Sequence, residues 1–279
     1  MNLLVSTDWL AAEMGKSDLR IIDATIFLPA HARSARAEFE GAHIPGAVFF
    51  DIEEVSDTSS NLPTMLPPAE KFASRCQALG LGDGSRIVVY DNSPLKSSAR
   101  LWWMLSLFGA HEVAILDGGL AKWQAESRPL ESGKPIVRHR HFTVWADKAL
   151  VRDQSQMSEN LRTKAEQVVD ARSSGRFTGA EPDPRPGVRP GHMPGSKNLP
   201  YSEAFNADGT WKSPAELKAL FDGLGIDLAK PLVATCGSGI TAPVLAFAAA
   251  LLGNTKVAVY DGSWSEWGAS AHNPVVVGA

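Results

Sequence analysis

The segment Cys236-Gly237-Ser238-Gly239-Ile240-Thr241 carries the strongest chemical signal in the sequence. It follows the apolar run 231–235 and precedes a helix-forming run that begins at Ala242, which predicts a tight turn from a strand into a helix. The backbone N–H groups of such a turn can converge on one point, and Gly237 and Gly239 allow the chain to wrap closely. Because converging N–H dipoles favour a thiolate, the nucleophilic form of cysteine, we predict that Cys236 is a nucleophile.

Other roles for the two cysteines fit the sequence less well. A cysteine at the start of a phosphate-cradling loop is typical of phosphatases, but that chemistry needs an arginine six positions on, where this chain has Ala242. A free cysteine is also often a small core residue. We expect that role for Cys76, which lies in the amphipathic segment 69–80, and not for Cys236 with its flanking glycines.

The elements that must position this loop occur twice along the chain. Four landmarks recur in the same order, at offsets of 144 to 149 residues: Asp23 and Asp170, His43 and His192, Asp117 and Asp261, Trp123 and Trp267. Such agreement indicates a tandem duplication. At the position of Cys236, the first copy has Asp91. A carboxylate cannot serve as a sulfur nucleophile, so we expect one inert copy and one active copy.

Both copies alternate β-branched runs with amphipathic segments. The runs are 21–22, 87–90 and 113–116 in the first copy, then 168–169, 232–235 and 257–260 in the second; the helical segments 69–82 and 214–226 both end at glycine-containing stops. This alternation predicts two α/β domains, each a mainly parallel sheet flanked by helices on both faces. The Pro- and Gly-containing segment 129–141 is typical of a linker, which gives domains 1–140 and 141–279.

Composition excludes several classes of protein. With 27 Lys and Arg against 31 Asp and Glu, the net charge of −4 leaves no basic face for nucleic acid and no polybasic membrane signal. No apolar stretch is long enough for a membrane helix, and the acidic N-terminal residues do not resemble a signal peptide. The two cysteines are too few for a disulfide framework. We therefore expect a cytoplasmic globular protein.

The duplication, the loop 233–241 (VATCGSGIT), the segments EGAHIPGAVFFD and RPGHMPGSKNLP, and the DGG and DGS turns followed by Trp resemble the tandem-rhodanese sulfurtransferases. The resemblance covers nearly the whole chain and is strongest for the 3-mercaptopyruvate branch, because the loop after Cys236 is neutral. It implies that Cys236 carries sulfur as a persulfide, which the N–H groups of Gly237, Ser238, Gly239, Ile240 and Thr241 would hold.

The same resemblance implies two substrate-binding arginines. Gly175-Arg176-Phe177 and Glu181-Pro182-Asp183-Pro184-Arg185 match the contexts in which the family's arginines hold the carboxylate and carbonyl of the substrate. The planar fork of arginine pairs bidentately with a carboxylate. We expect the Pro-rich segment 181–191 to be a rigid loop that presents Arg185. Trp264 and Trp267, just after the DGS turn at Asp261, could line the mouth of the site.

Ser238 and His43 resemble the family's proton relay, since departing pyruvate enolate needs a proton. A structural role for His43 is the alternative, because His192 occupies the same motif position in the second copy. The family's relay usually includes an upstream acid, but between Ala24 and Phe50 the only acidic residues are Glu38 and Glu40. The third member of the relay therefore stays open.

The function that follows is transfer of sulfur from 3-mercaptopyruvate through Cys236 to cyanide or a thiol acceptor such as thioredoxin. The reaction needs no metal and no organic cofactor. One alternative is a thiosulfate:cyanide sulfurtransferase, which the neutral loop disfavours. Another is a non-catalytic persulfide carrier or redox interaction module, which would have no need of Arg176 and Arg185.

Overall fold

The computed structural model describes residues 1–278, which form two compact units. Unit 1 contains residues 1–58, 66–147 and 205–211; unit 2 contains residues 59–65, 148–204 and 212–278. The main division falls between Asp147 and Lys148. The sequence predicts this boundary near residue 140. Two short segments, 59–65 and 205–211, each belong to the unit formed mainly by the other copy. Nothing in their composition marks this exchange.

Unit 1 is built on one five-stranded sheet. Its strands are β1 (Leu4–Val5), β2 (Leu19–Asp23), β3 (Ala47–Phe49), β4 (Arg86–Tyr90) and β5 (Glu112–Leu116). Its helices are α1 (Thr7–Glu13), α2 (Ala35–Gly41), α3 (Ile52–Val55), α4 (Ala69–Ala78), α5 (Ser98–Leu107) and α6 (Gly119–Ala125), with a 3-10 turn at Pro29–His31.

Unit 2 repeats this plan. Its strands are β6 (Val151–Arg152), β7 (Gln167–Asp170), β8 (Lys197–Asn198), β9 (Leu232–Thr235) and β10 (Ala258–Tyr260). Its helices are α7 (Gln154–Thr163), α8 (Ser174–Thr178), α9 (Pro214–Gly223), α10 (Ala242–Leu251) and α11 (Ser263–Trp267), with 3-10 turns at Lys148–Leu150 and Tyr201–Ala204.

The two sheets share one topology. The strand order is β1-β5-β4-β2-β3 in unit 1 and β6-β10-β9-β7-β8 in unit 2, and the pairs within both sheets are parallel. Strand positions in the two copies therefore correspond one to one, with β4 equivalent to β9. The predicted pair of parallel α/β domains is confirmed.

Burial explains why β9 and α10 hold the loop 236–241 between them rigidly. All four residues of β9 are buried, and so are the nine residues from Ala242 to Ala250. A helix that is apolar all round is a core helix, and its Pro243 fits the first turn, where no N–H partner is lost. The loop between them is thus fixed at both ends by packed core.

Cys76 lies in the core, as the sequence predicts. It lies on α4 and is fully buried, and burial raises the pKa of its thiol.

Among the described helices, none combines the length and apolar character that crossing a bilayer requires. Within residues 1–278, no group of three or more His, Cys, Asp or Glu side chains is arranged to hold a metal ion.

Candidate active site

Cys236 is the first residue after β9, at the carboxyl edge of the unit 2 sheet, and α10 begins six residues later at Ala242. In open parallel sheets this edge is where ligands bind. The cysteine is only 1% exposed. Gly239 adopts φ +77°, in the left-handed region that suits glycine. The turn from strand to helix that the sequence predicts is therefore present, with Cys236 at its start.

The hydrogen bonds of the loop run mainly through its carbonyls. The N–H of Trp264 donates to the carbonyl of Cys236 at 3.0 Å, and the N–H of Ser265 donates to the carbonyl of Gly237 at 2.9 Å. Among residues 1–278, the N–H groups of Gly237 and Ser238 donate no hydrogen bond to the protein. These donors are left for a bound group, which is what a loop that binds an anionic sulfur requires.

Ser263 lies beside Cys236, although no motif in the sequence predicts it there. Its Oγ accepts a hydrogen bond from the N–H of Cys236 at 3.1 Å and lies 3.8 Å from the Cys236 Sγ. Its φ of +50° is unusual for a residue with a side chain. The equivalent position of unit 1 is Gly119, with φ +58°. A serine where the other copy has glycine is the signal that could have identified it.

Arg176 and Arg185 both reach Gly237, the residue next to Cys236. Arg176 lies on α8 and Arg185 in the loop that follows. A Cβ atom placed on Gly237 would lie 3.1 Å from Arg176 Nη2 and 3.5 Å from Arg185 Nη1. Two guanidinium groups therefore lie beside the backbone that carries Cys236, and only glycine leaves them this room.

Asp183 holds the two arginines together. Its carboxylate accepts from Arg176 Nη2 at 2.6 Å and from Arg185 Nη1 at 3.2 Å, and its side chain is 1% exposed. Burial raises the pKa of Asp183, but the bonds from Arg176 and from the Arg185 N–H, together with both positive charges, outweigh burial and hold it below its ordinary value. In the sequence, Asp183 stands out only as part of a motif, because its pairing with both arginines depends on the folded loop.

The arginines keep donors for a ligand. Among the described residues, Asp183 is the only group that accepts a hydrogen bond from either guanidinium. Arg176 Nε is buried and has no partner. Two cations that share one carboxylate carry one net positive charge, and their remaining N–H groups are suited to binding a further carboxylate. The site can thus hold an anionic substrate beside a thiol.

His43 and Ser238, the two residues of the expected relay, lie in different units. His43 is buried in unit 1, with Nδ1 2.6 Å from the Phe39 carbonyl and its ring stacked on Phe39. His192 makes the same contacts with Phe177 in unit 2. These matched contacts favour the structural role for His43, and its part in a relay stays a prediction. The Ser238 hydroxyl makes no hydrogen bond to another described residue.

Asp91 fills the corresponding loop of unit 1 with its own carboxylate. Its Oδ1 accepts from the Ser93 N–H at 2.9 Å and its Oδ2 from the Ser98 N–H at 2.8 Å. The Leu120 N–H donates to the Asp91 carbonyl at 3.1 Å, as Trp264 does to Cys236. The carboxylate of Asp91 thus occupies the N–H groups of its own loop, and no sulfur nucleophile is present there.

The tryptophans after the DGS turn do not line the mouth of the site. Trp264 and Trp267 are 1% and 0% exposed. Their indole N–H groups donate to the carbonyls of Arg189 and Pro274. The expectation was wrong because α11 turns its aromatic face into the core of unit 2.

The fold and the loop geometry agree with a family model for the rhodanese-like domain, which matches residues 6–126 and 153–270. The chain therefore belongs to the rhodanese-like domain family, with two copies of the domain in tandem. It shares 46% identity over 270 residues with 3-mercaptopyruvate sulfurtransferase of Homo sapiens, covering 95% of this chain and 91% of that protein.

Two further relatives place the chain within the family. Thiosulfate sulfurtransferase of Cricetulus griseus is 43% identical over 271 residues, with 95% of this chain and 91% of that protein covered. Among solved structures, the 3-mercaptopyruvate sulfurtransferase SseA of Escherichia coli superposes with a TM-score of 0.87 at 39% identity, covering 95% of this chain and 99% of that one.

Proposed function

We propose that this protein is a sulfurtransferase that takes sulfur from 3-mercaptopyruvate onto Cys236, releases pyruvate and passes the sulfur to cyanide or a thiol. The observation that carries the proposal is the placement of Arg176 and Arg185 over Gly237, the neighbour of Cys236. The relatives named 3-mercaptopyruvate sulfurtransferase support the same activity.

Substrate binding follows from the charges of the site. A 2-oxo acid presents a carboxylate and a carbonyl oxygen, both acceptors, to two guanidinium forks. Asp183 fixes those forks before the substrate arrives. Binding at one end of a three-carbon substrate then brings its sulfur to Cys236, and such pre-orientation accounts for much of the rate gain in two-reactant steps.

The first half-reaction forms a sulfur–sulfur bond. The Cys236 thiolate attacks the substrate sulfur, and the bond between that sulfur and C3 breaks with its electron pair staying on C3. The resulting enolate of pyruvate takes a proton at C3, and the outer sulfur remains on Cys236 as a persulfide. Ser238, on the same loop, is the proposed proton donor. The participation of His43 remains a prediction.

The second half-reaction frees the enzyme. Cyanide or a thiolate attacks the outer sulfur, the sulfur–sulfur bond breaks, and its electrons return to Cys236 as thiolate. Because the enzyme is modified between the halves, ping-pong kinetics follow. Thioredoxin is the proposed protein acceptor. The two cysteines are free rather than paired, which suits a reducing compartment such as the cytoplasm.

Thiosulfate is the second candidate donor, because thiosulfate sulfurtransferases are similarly close relatives. The residues after Cys236 favour 3-mercaptopyruvate, since Gly237, Ser238, Gly239, Ile240 and Thr241 carry no charge to offset a dianion. Both arginines, in contrast, suit a donor that ends in a carboxylate.

Steady-state pyruvate release from 3-mercaptopyruvate, measured beside thiosulfate with cyanide as acceptor, tests the proposal. Wild type and Cys76→Ser, a control in the core of unit 1, should prefer 3-mercaptopyruvate, and Cys236→Ser should be inactive with both donors. Faster turnover of thiosulfate would assign the protein to the other donor. Activity that survives Cys236→Ser would refute the persulfide route.

A further inference from the structure

Thr64 contacts the catalytic loop from a distant part of the sequence. It lies in the segment 59–65, which packs as part of unit 2 although the surrounding chain belongs to unit 1. Its hydroxyl donates a hydrogen bond of 2.7 Å to the carbonyl oxygen of Ser238, the second residue after Cys236. A residue of the first copy is thereby built into the loop of the second.

The backbone of Thr64 is held in an unusual conformation. Its φ is +55°, in the left-handed region that sterics disfavour for β-branched residues. Such outliers persist only where the surrounding structure fixes them, and they cluster at functional sites. The segment 59–65 therefore places this hydroxyl at the loop against the intrinsic preference of the chain.

The hydrogen bond constrains one peptide of the loop. The Ser238–Gly239 peptide is trans, so its N–H points opposite to its carbonyl. Because Thr64 holds the carbonyl, the N–H of Gly239 must point away from Thr64. Glycine at φ +77° would tolerate more than one orientation of this peptide. A carbonyl that accepts a hydrogen bond also polarises the N–H of its peptide.

We infer that Thr64 is a positioning residue for sulfur transfer: it fixes the Ser238–Gly239 peptide and so sets how the loop presents its donors and the Ser238 side chain beside Cys236. This inference rests on the proposed function. Thr64 hydrogen-bonds the loop carbonyl, whereas the guanidinium groups of Arg176 and Arg185 hydrogen-bond Asp183, so we expect its effect to fall on the chemical step and to leave substrate binding intact.

Three variants at this position separate the hydroxyl from the shape. Thr64→Val keeps the β-branch and loses the donor, Thr64→Ser keeps the donor, and Thr64→Gly loses the donor while relieving the backbone. Thr163→Val is the matched control, because Thr163 also donates to a backbone carbonyl of unit 2, that of Glu159 on α7. Thermal melting verifies that each variant folds, and Thr64→Gly replaces Thr64→Val if the latter does not.

We expect Thr64→Val and Thr64→Gly to lower the single-turnover rate of pyruvate release about tenfold, with KM within about twofold of wild type. Thr64→Ser should stay within about threefold, and Thr163→Val should equal wild type. Alkylation of Cys236 by iodoacetamide, followed at the peptide level against pH, should move to higher pH in Thr64→Val, because misdirected N–H groups stabilise the thiolate less.

Three results would overturn the inference: a Thr64→Val rate within about twofold of wild type, a Thr64→Ser loss as large as that of Thr64→Val, or an unchanged alkylation profile. If wild type releases no pyruvate, the proposed function fails. The alkylation profiles would still test Thr64 in that case, so the two failures are distinguishable.

Discussion

The carboxylate of Asp183 is buried and forms a 2.6 Å salt bridge with the guanidinium of Arg176, which is partly exposed. Burial raises the pKa of this carboxyl, but the hydrogen bonds from Arg176 and from the Arg185 N–H, together with both positive charges, outweigh burial and hold the pKa below its ordinary value. It orders two cations that would otherwise repel each other beside Gly237. The proposed substrate-binding part of the site is thus a triad of one anion and two cations that hydrogen bonds hold together.

Replacing Asp183 with Asn should loosen this triad. We expect KM for 3-mercaptopyruvate to rise about tenfold and stability to fall by about 2 kcal/mol, since the charge between the arginines is lost. Steady-state kinetics and urea unfolding measure the two effects. The control is Asp222→Asn, which removes an exposed pair with Lys218 and should change neither. An unaltered KM in Asp183→Asn would show that the arginines need no carboxylate to hold them.

Arg185→Lys tests whether the fork or only the charge matters. Lysine keeps the positive charge and loses bidentate geometry, so we expect kcat/KM for 3-mercaptopyruvate to fall about 30-fold, mainly through KM. Arg162→Lys, on the exposed side of α7, is the control. If Arg185→Lys keeps wild-type kinetics, a point charge suffices and bidentate binding is wrong.

Gly237→Ala tests the closeness of the arginines to the loop. The added methyl group would lie 3.1 Å from Arg176 Nη2, so the guanidinium must move, and we expect kcat/KM to drop about tenfold. Gly223→Ala is the matched control, because a Cβ there meets nothing within 4 Å at the end of α9. Equal activity of both variants would mean that the arginines shift without consequence.

Asp23 should make the free energy of unfolding depend on pH through its position in unit 1. In unit 2, Asp170 pairs with Arg172 at 2.7 Å, but in unit 1 the residue at that position is Thr25. Burial raises the pKa of Asp23 to about 6, although hydrogen bonds with Thr25 act in the opposite direction. An acid whose pKa is raised on folding stabilises the native state at low pH, and this contribution is lost as the pH rises from about 4 to about 6.

Asp23→Asn should remove that dependence. Measured by urea unfolding, the stability of the variant relative to wild type should increase between pH 4 and pH 7 by up to about 3 kcal/mol. The sign is the sensitive part of this test. A relative stability that is flat or that decreases over this range would mean that Asp23 is ionised in the native state without cost.

The sequence predicts the parts of this structure that depend on local pattern. Alternating β-branched and amphipathic segments predict both sheets, and the strand-to-helix turn predicts where Cys236 lies. Asp183, Ser263 and Thr64 escape prediction because their roles arise from contacts made only in the fold. Thr64 lies in a segment exchanged between the copies, and its partner Ser238 is 174 residues away.

Two other departures have physical causes. The sequence pattern treats Trp264 and Trp267 as neighbours of a loop, but the tertiary structure buries both in the core of unit 2. For His43, a motif shared by two copies cannot distinguish catalysis from structure, and the stacking on Phe39 with the bond to its carbonyl favours structure.

The most direct test of the account is a single-turnover experiment with 3-mercaptopyruvate and no acceptor, followed by peptide mass spectrometry. We predict one equivalent of pyruvate and one added sulfur atom on the peptide that contains Cys236, with none on that of Cys76, and release of this sulfur as thiocyanate when cyanide is added. Pyruvate release without sulfur on Cys236, or sulfur that cyanide does not remove, would contradict transfer through a Cys236 persulfide.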